Sequence, residues 1–429
     1  MDQAGGSNTT IDGNLLGGNG EDGVLAFAET KLQITDNVIE DSALAGIAVD
    51  GGISTTIDHN TIQRSGTSGI TAADEQSPEI TGNSIGGNGQ DGVRLARGSD
   101  ATVDDNEVFA NGADAIDTDS VFGLRITNNS IHDNATLGID VEDGNGTVLA
   151  ENEVQSNGGA GISVLREVSL AISHNDIHNN AEDGIQLAAG TNSTVSGNTV
   201  SDNGTVAGDY GIQAEQETNL VLTKNTFARN FDAHIFINSS DDVFIRRNDL
   251  NVSTDGIVLV KTLAHPLDVV IGGSSSERNR FRGLSPTSNQ CDAAGDNCYI
   301  QLGNVILPPF NAQYNDWGTT DLGQIENLVC HDNEFGCGLS VVDFSNPEPP
   351  GDSPAVKATP TPTGPLGDVS CDGTVNSIDA ALLLQFGAGL VSSLACQANA
   401  DVNGDGMITS IDATLVLQFS AGLIPTLPF

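Results

Sequence analysis

The 429-residue sequence predicts an all-β solenoid with a small α-helical module after it, and three observations predict this. An asparagine recurs every 23 residues through the first part of the chain, each Asn is flanked by aliphatic residues at fixed offsets, and two near-identical loop-helix segments follow a proline-rich stretch. The asparagine series runs Asn14, Asn37, Asn60, Asn83, Asn106, Asn129, Asn152, Asn175 and Asn198, then resumes at Asn225 and Asn248 after a four-residue insertion near 204–208.

In each repeat an aliphatic residue stands three before the Asn (Ile57, Ile80, Val103, Ile126) and another two after it (Ile62, Ile85, Val108, Ile131). About nine residues after the Asn comes a Gly-aliphatic pair such as Gly46-Ile47, Gly138-Ile139 or Gly184-Ile185. Short apolar stretches of this kind read as strands, with Asn, Gly and Asp as the turns between them. Three short strands per 23 residues is too little chain for a propeller blade, so each coil is expected to stack on the one before it. At roughly 4.8 Å per strand spacing, eleven coils make a rod on the order of 50 Å long. Identical register then stacks the asparagines. Asn tolerates the left-handed backbone of a tight corner, and a column of amides can hydrogen-bond from rung to rung, so the column is expected to be structural.

This template resembles the right-handed parallel β-helix proteins, the broad pectate-lyase-like group, over roughly residues 8–345. The resemblance implies the fold and leaves activity open. Two further segments, Ile271-Gly272-Gly273 and Tyr314-Asn315-Asp316-Trp317-Gly318, look like the irregular last coils of such a rod, with Trp317, the only tryptophan, in its core.

Fifty-eight acidic against fifteen basic residues give a net charge of −43, which repels phosphate backbones and excludes nucleic acid as a partner class. Such an excess suits a secreted protein in a salt- or calcium-rich medium, or serves the solubility of a long rod. No run of eighteen apolar residues is present, so no membrane-spanning helix is expected. The opening Met1-Asp2-Gln3-Ala4 does not read as a signal peptide, and the expectation is a fragment, or a mis-started reading frame, of a longer exported protein. The six cysteines fall into local pairs, Cys291 with Cys298, Cys330 with Cys337 and Cys371 with Cys396. That pattern favours disulfides over zinc, for which no C-x-x-C knuckle is present.

The expected domains are 1–345 for the solenoid, 346–366 for a Pro/Thr-rich linker and 367–429 for the module. In the module, Asp368-x-Ser370-x-Asp372-Gly373-x-Val375-x-x-x-Asp379 recurs 33 residues later as Asp401-x-Asn403-x-Asp405-Gly406-x-Ile408-x-x-x-Asp412. Oxygen side chains at loop positions 1, 3, 5 and 12, with Gly at 6, have the ligand spacing of an EF-hand-type calcium loop. The carbonyls of Thr374 and Met407 are expected to supply position 7, and apolar helices are expected over 380–386 and 413–419. Position 12 is Asp where EF-hands carry Glu, and the linker leaves no room for a helix before the first loop. With those departures the segment resembles a type I dockerin. The resemblance implies two bound calcium ions and docking to a cohesin domain of a scaffold protein through Ser377, Ile378, Ser410 and Ile411. Ser370 and the Cys371–Cys396 pair depart from the usual dockerin pattern.

On the solenoid, residues two and four after the strand-opening Gly are expected to point outward in columns. They bring together Asp117, Asp119, Asp140 and Glu142 on adjacent rungs with Arg94 one rung away. Such a cluster can supply the acid and nucleophile of a glycosidase, share a third calcium that binds a uronate, or be a solvated face. No segment matches the catalytic signatures of polygalacturonases, pectate lyases or alginate epimerases. His132 and His178 lie two coils apart, about 10 Å, and are expected on the surface. Three readings stand: an extracellular polysaccharide-acting glycosidase or lyase carried by its dockerin, a non-catalytic carbohydrate-binding or cell-surface rod, and a purely structural calcium clip. Few aromatic residues fall on the outward columns, which tempers the first two.

Overall fold

Strands form where an aliphatic residue is flanked by polar ones, because burying one Ile side chain contributes about 1.5–3 kcal/mol while its neighbours stay in water. The chain follows this rule coil after coil in a computed structural model that describes residues 2–251, 255–260, 269–284, 298–302, 310–330, 342–348, 365–387, 394–396, 399–400, 402, 408, 410–424 and 426–427. It divides into two compact units, Met1–Pro354 and Ala355–Phe429. Most of the expected linker, 349–364, lies outside the described residues.

The first unit is a right-handed solenoid in which each regular coil gives one strand to each of three parallel sheets. One coil supplies Ile116–Asp119 to the first sheet, Arg125–Thr127 to the second and Ser130–His132 to the third. The first and second sheets each have 14 described strands and the third has 12. Pairing is strictly in register, Ile116 with Ile139, Ile126 with Leu149 and Ile131 with Val154, so the aliphatic columns form one continuous core.

The asparagines do stack as a ladder. The side-chain Nδ2 of Asn129 donates to Oδ1 of Asn152 at 2.9 Å, to the Val103 carbonyl at 2.9 Å and to the Thr127 carbonyl at 2.8 Å. Its Oδ1 accepts the backbone N–H of Asn106 at 3.0 Å. The ladder continues into the irregular coils through Asn279 and Asn315. The corner itself differs from expectation. The left-handed residue is the one before each Asn, for instance Asp36 at φ 55°, His59 at 54°, Asp105 at 55° and Asn128 at 55°. A non-glycine residue there costs roughly 1–2 kcal/mol, and its N–H is satisfied by the next coil, as Asp105 N–H is by the Thr127 carbonyl at 3.2 Å.

Two further columns escape the repeat template. Asn88, Asn111, Asn134, Asn157, Asn180, Asn203 and Asn230 form a second buried amide ladder. At another corner, Glu29, Glu75, Glu167 and Glu217 are buried. Glu75 accepts the Gly52 N–H at 2.7 Å and the Thr55 hydroxyl at 2.8 Å. A Cβ on Gly52 would sit 2.6 Å from that carboxylate, so glycine one coil below makes the room. Gly138 is required for a similar reason, since a Cβ would lie 2.4 Å from the Gly161 carbonyl oxygen.

The irregular coils behave as expected. Val269–Ile271 joins the second sheet, and Trp317 is fully buried against Phe281, ring centroids 4.8 Å apart. Cys298 and Cys330 are each disulfide-bonded, while Cys291 and Cys337 lie outside the described residues. Among the described residues no helix is long and apolar enough to cross a membrane.

In the second unit the helices span Ser377–Gly387 and Ser410–Ser420, three residues longer at their starts than expected. They therefore take Asp379 and Asp412 into their first turns, where a carboxylate favours the helix N-terminus. Val369, Leu383, Ala400, Val402, Ala413 and Val416 form their shared core, with Val375 and Ile408 anchoring the two loops against it. Cys371 and Cys396 are disulfide-bonded with Cα atoms 5.5 Å apart.

Candidate functional site

The outward face of the first sheet carries the acidic cluster. Strands Val93–Ala96, Ile116–Asp119, Ile139–Glu142 and Ile162–Leu165 lie on successive rungs. Their register sets Arg94 beside Asp117, Asp117 beside Asp140, Asp119 beside Glu142 and Asp140 beside Ser163. All five residues singled out from the sequence thus share one face, because side chains alternate along each strand and columns repeat at the strand spacing.

The electrostatics of the four acids differ. Arg94 is ion-paired with Asp117 and lies 3.7 Å from Asp91. Burial pushes the Asp117 carboxyl up to about 6; the Arg94 charge opposes this, and the charges of Asp91 and Asp114 add to it. Burial likewise pushes Asp140 up to about 6; the Ser163 hydroxyl opposes, and Asp114, Asp117 and Glu142 add to it. No basic side chain pairs with Asp140 among the described residues. Glu142 has Arg166 at 3.4 Å, and Asp119 accepts the Ser120 hydroxyl at 2.7 Å. These two behave as a surface rim, while Asp117 and Asp140 form a half-buried pair.

Asp91 and Asp114, at the corner preceding the strand, belong to the same cluster and were not marked by the outward-column rule. Their signal was the acidic residue just before the strand-opening Gly or Ala, seen again at Asp183-Gly184. Asp183 is also pushed up to about 6 by burial, so a raised carboxyl is not confined to the pair. His132 and His178 lie elsewhere, on the outer face of the third sheet beside Glu107 and Glu153.

The second unit carries the loop chemistry. Asp368 and Asp379 are almost completely buried. Asp368 accepts the Gly373 N–H at 2.9 Å and the Ser370 hydroxyl at 3.2 Å, and Asp372 accepts the Thr374 N–H at 2.8 Å. Asp379 accepts the N–H groups of Val369, Ser370 and Asn376 at 2.9–3.1 Å. In the second repeat Asp412 accepts the Val402 N–H at 2.9 Å, matching the Val369–Asp379 bond. Asp401, Asn403, Asp405 and Met407 lie outside the described residues, as do the side chains of Ser410 and Ile411. Ser377 and Ile378 are exposed, Ile378 at 60%.

Residues 367–429 contain no Lys, Arg or His, and all their acids, Asp368, Asp372, Asp379, Asp401, Asp405 and Asp412, stand at loop positions 1, 5 and 12. Buried carboxylates with no cationic side chain in their own module fit a hard divalent cation, whose ligands are oxygens. Among the described residues no group of three or more His, Cys, Asp and Glu converges closely enough to hold a metal; the first-loop carboxylates are turned onto backbone N–H groups.

The right-handed β-helix region model matches residues 3–144 and 114–267, and the type I dockerin domain model matches residues 366–419. Among solved structures, the A-module of the Azotobacter vinelandii mannuronan C-5 epimerase AlgE6 is similar at 16% identity and TM-score 0.53, covering 59% of this chain and 78% of that one. The A-module of the Azotobacter vinelandii epimerase AlgE4 aligns at 14% identity and TM-score 0.43 over 62% and 91% of the two chains. The Dettilon tailspike protein aligns at 16% identity and TM-score 0.44 over 60% and 61%. At these identities the first likeness is one of fold alone. No curated protein sequence matches. With one family model spanning most of the solenoid and the other the loop-helix repeats, the chain belongs to the right-handed β-helix family and carries a type I dockerin domain.

Proposed function

We propose that this is an extracellular, scaffold-attached polysaccharide hydrolase, with a catalytic rod over 1–345, a spacer over 346–366 and a docking module over 367–429. The observation that carries the catalytic reading is the pair Asp117 and Asp140, neighbours on adjacent rungs with both carboxyls pushed up to about 6. In-register rungs bring two such carboxyls to about 5 Å, the separation of retaining glycosidases. Arg94 favours the ionised form of Asp117, and Asp140 has no such partner, so the roles divide. Asp140 gives its proton to the glycosidic oxygen as Asp117 attacks the anomeric carbon and the carbon–oxygen bond breaks. Water, deprotonated by Asp140, then releases the sugar from the Asp117 ester. Asp119 and Glu142 accept hydrogen bonds from substrate hydroxyls at the rim.

The docking module holds two calcium ions, one per loop. Asp368, Ser370, Asp372, Asp379 and the Thr374 carbonyl serve the first, and Asp401, Asn403, Asp405, Asp412 and the Met407 carbonyl the second. With calcium held by these oxygens, Ser377, Ile378, Ser410 and Ile411 at the two helix starts would be presented to a cohesin.

The test is release of reducing ends from a panel of soluble polysaccharides by the purified chain and by Asp117→Asn and Asp140→Asn. Product that disappears in both variants, with retained anomeric configuration, is expected. Product unaffected by Asp140→Asn refutes the assignment, and no product on any polysaccharide from folded protein leaves a non-catalytic rod.

A further inference from the structure

Past the acid pair, the same outward column continues as Ser163, Gln186, Gln213 and Phe236, one residue per rung. Tyr210 packs on Phe236 with ring centroids 4.4 Å apart and planes within 10°. Both rings are half-buried. Tyr210 directly follows the only insertion in the regular coils, which is held in place by Asp209 accepting the Thr205 and Val206 N–H groups at 2.8 Å. The insertion leaves Val206 60% exposed, and Phe231 on the next coil is 49% exposed. Aromatic residues are scarce in this chain, yet two stack here in line with the acid pair, four rungs from Asp140 or on the order of 19 Å.

We infer that Tyr210 and Phe236 form a sugar-binding platform on which a neutral polysaccharide rests, lying along the rod axis with its reacting end at Asp117 and Asp140. Placing that end rests on the hydrolase reading; the platform itself does not. Rings with an apolar face and a polar edge suit a pyranose, which offers C–H groups on its faces and hydroxyls on its rim. Between platform and pair the column offers hydroxyl and amide groups. Gln186 is held by Asp183 at 2.8 Å, while among the described residues no hydrogen bond engages the Gln213 side chain.

Charge selects the neutral class. The two outward columns of the first sheet carry Asp50, Asp117, Asp119, Asp140, Glu142 and Glu215 in the regular coils. Their one cation, Arg94, is already engaged by Asp117 and Asp91. A uronate chain would bring a carboxylate at every unit onto this face, where the described residues of the two columns offer no free cation to meet it. A neutral chain pays no such repulsion.

The experiment measures binding of the full chain to mixed-linkage β-glucan and glucomannan, and to polygalacturonate and alginate, by affinity electrophoresis and calorimetry. Tyr210→Ala, Phe236→Ala, Gln213→Ala and the double variant Asp117→Asn, Asp140→Asn are compared, with far-UV circular dichroism as the fold control. We expect binding to a neutral polymer only, weakened roughly tenfold by each ring variant and retained by the double Asn variant. Gln213→Ala removes no hydrogen bond among the described residues and keeps the test sharp should a ring variant misfold; it too should bind more weakly. Unchanged binding in the ring variants, unchanged binding in Gln213→Ala where a ring variant does not fold, tighter binding to a uronate polymer, or no binding at all overturns the inference. Neutral-polymer binding that depends on the rings, without any hydrolysis, upholds the platform and sinks the hydrolase.

Discussion

Replacing Asn129 with Ala tests whether the amide ladder holds the coils together. The Asn129 side chain donates to the Val103 carbonyl, the Thr127 carbonyl and Asn152 Oδ1, and accepts from the backbone N–H and Nδ2 of Asn106. Several partners keep a second bond. Thr127 oxygen still receives the Asp105 N–H, and Asn152 Oδ1 still receives the Asn129 N–H. The Asn106 backbone N–H loses its acceptor and stays buried. One orphaned donor costs about 1–3 kcal/mol and the two amide hydrogens of Asn129 make two net bonds worth about 0.5–1.5 kcal/mol each, so a total loss of about 2–6 kcal/mol is expected. Asn14, on the first coil, is half-exposed and donates to the Asp12 carbonyl and to Asn37 Oδ1. Asn14→Ala should therefore cost about 1 kcal/mol. Urea unfolding of the two variants against the parent gives the difference, and hydrogen exchange at the Asn106 amide reads it locally. If Asn129→Ala falls within about 1 kcal/mol of Asn14→Ala, the ladder is ornamental and the aliphatic columns alone hold the rod.

Three more outcomes are expected. Burial raises the carboxyls of Glu75, Glu167 and Glu217, so the native state binds their protons more tightly than the unfolded chain. The stability they contribute is fully present below the unfolded value near ~4.3 and is lost as pH rises through the higher native values. Glu75→Gln, which can still accept from Gly52 and donate to Thr55, should flatten that slope and melt higher than the parent at pH 7; an equal or lower melting temperature refutes it. The same sign holds for Asp140, pushed up to about 6, so Asp140→Asn should gain stability above pH 6 even as activity is lost; a urea midpoint at pH 7 no higher than the parent's counts against it. Finally, adding calcium should raise the melting of the helical module and a chelator reverse it. Trp317 fluorescence, which reports the solenoid, should not respond; Asp379→Ala should reduce the shift, and Asp379→Ala with Asp412→Ala should abolish it. A calcium response in Trp317 but not in helical dichroism contradicts the loop assignment.

Much of this was legible in the residues. The 23-residue step forced the columns, since in-register parallel strands leave Ile126 no column neighbours but Val103 and Leu149, and Asp117 none but Arg94 and Asp140. The calcium-loop spacing marked the second unit because liganding oxygens must fall at fixed positions around a sharp turn. Few aromatic residues do stand on the outward columns; Phe236, one rung past Gln213, is one of them.

What the sequence by itself determined, then, was which residues share a column, because the strand spacing and the alternation of side chains are properties of any β-rung. What only the tertiary structure decided was how different columns meet. The corner turns at the residue before each Asn, where the chain enters the left-handed region and hands its N–H to the next coil. Other corners bring Asp91 and Asp114 against the Asp117–Asp140 pair and lay Glu75 over Gly52, and the inserted loop sets Tyr210 onto Phe236. Periodicity fixes distances along the rod axis; distances around each coil depend on corner dihedrals and insertions, which a repeat pattern does not encode.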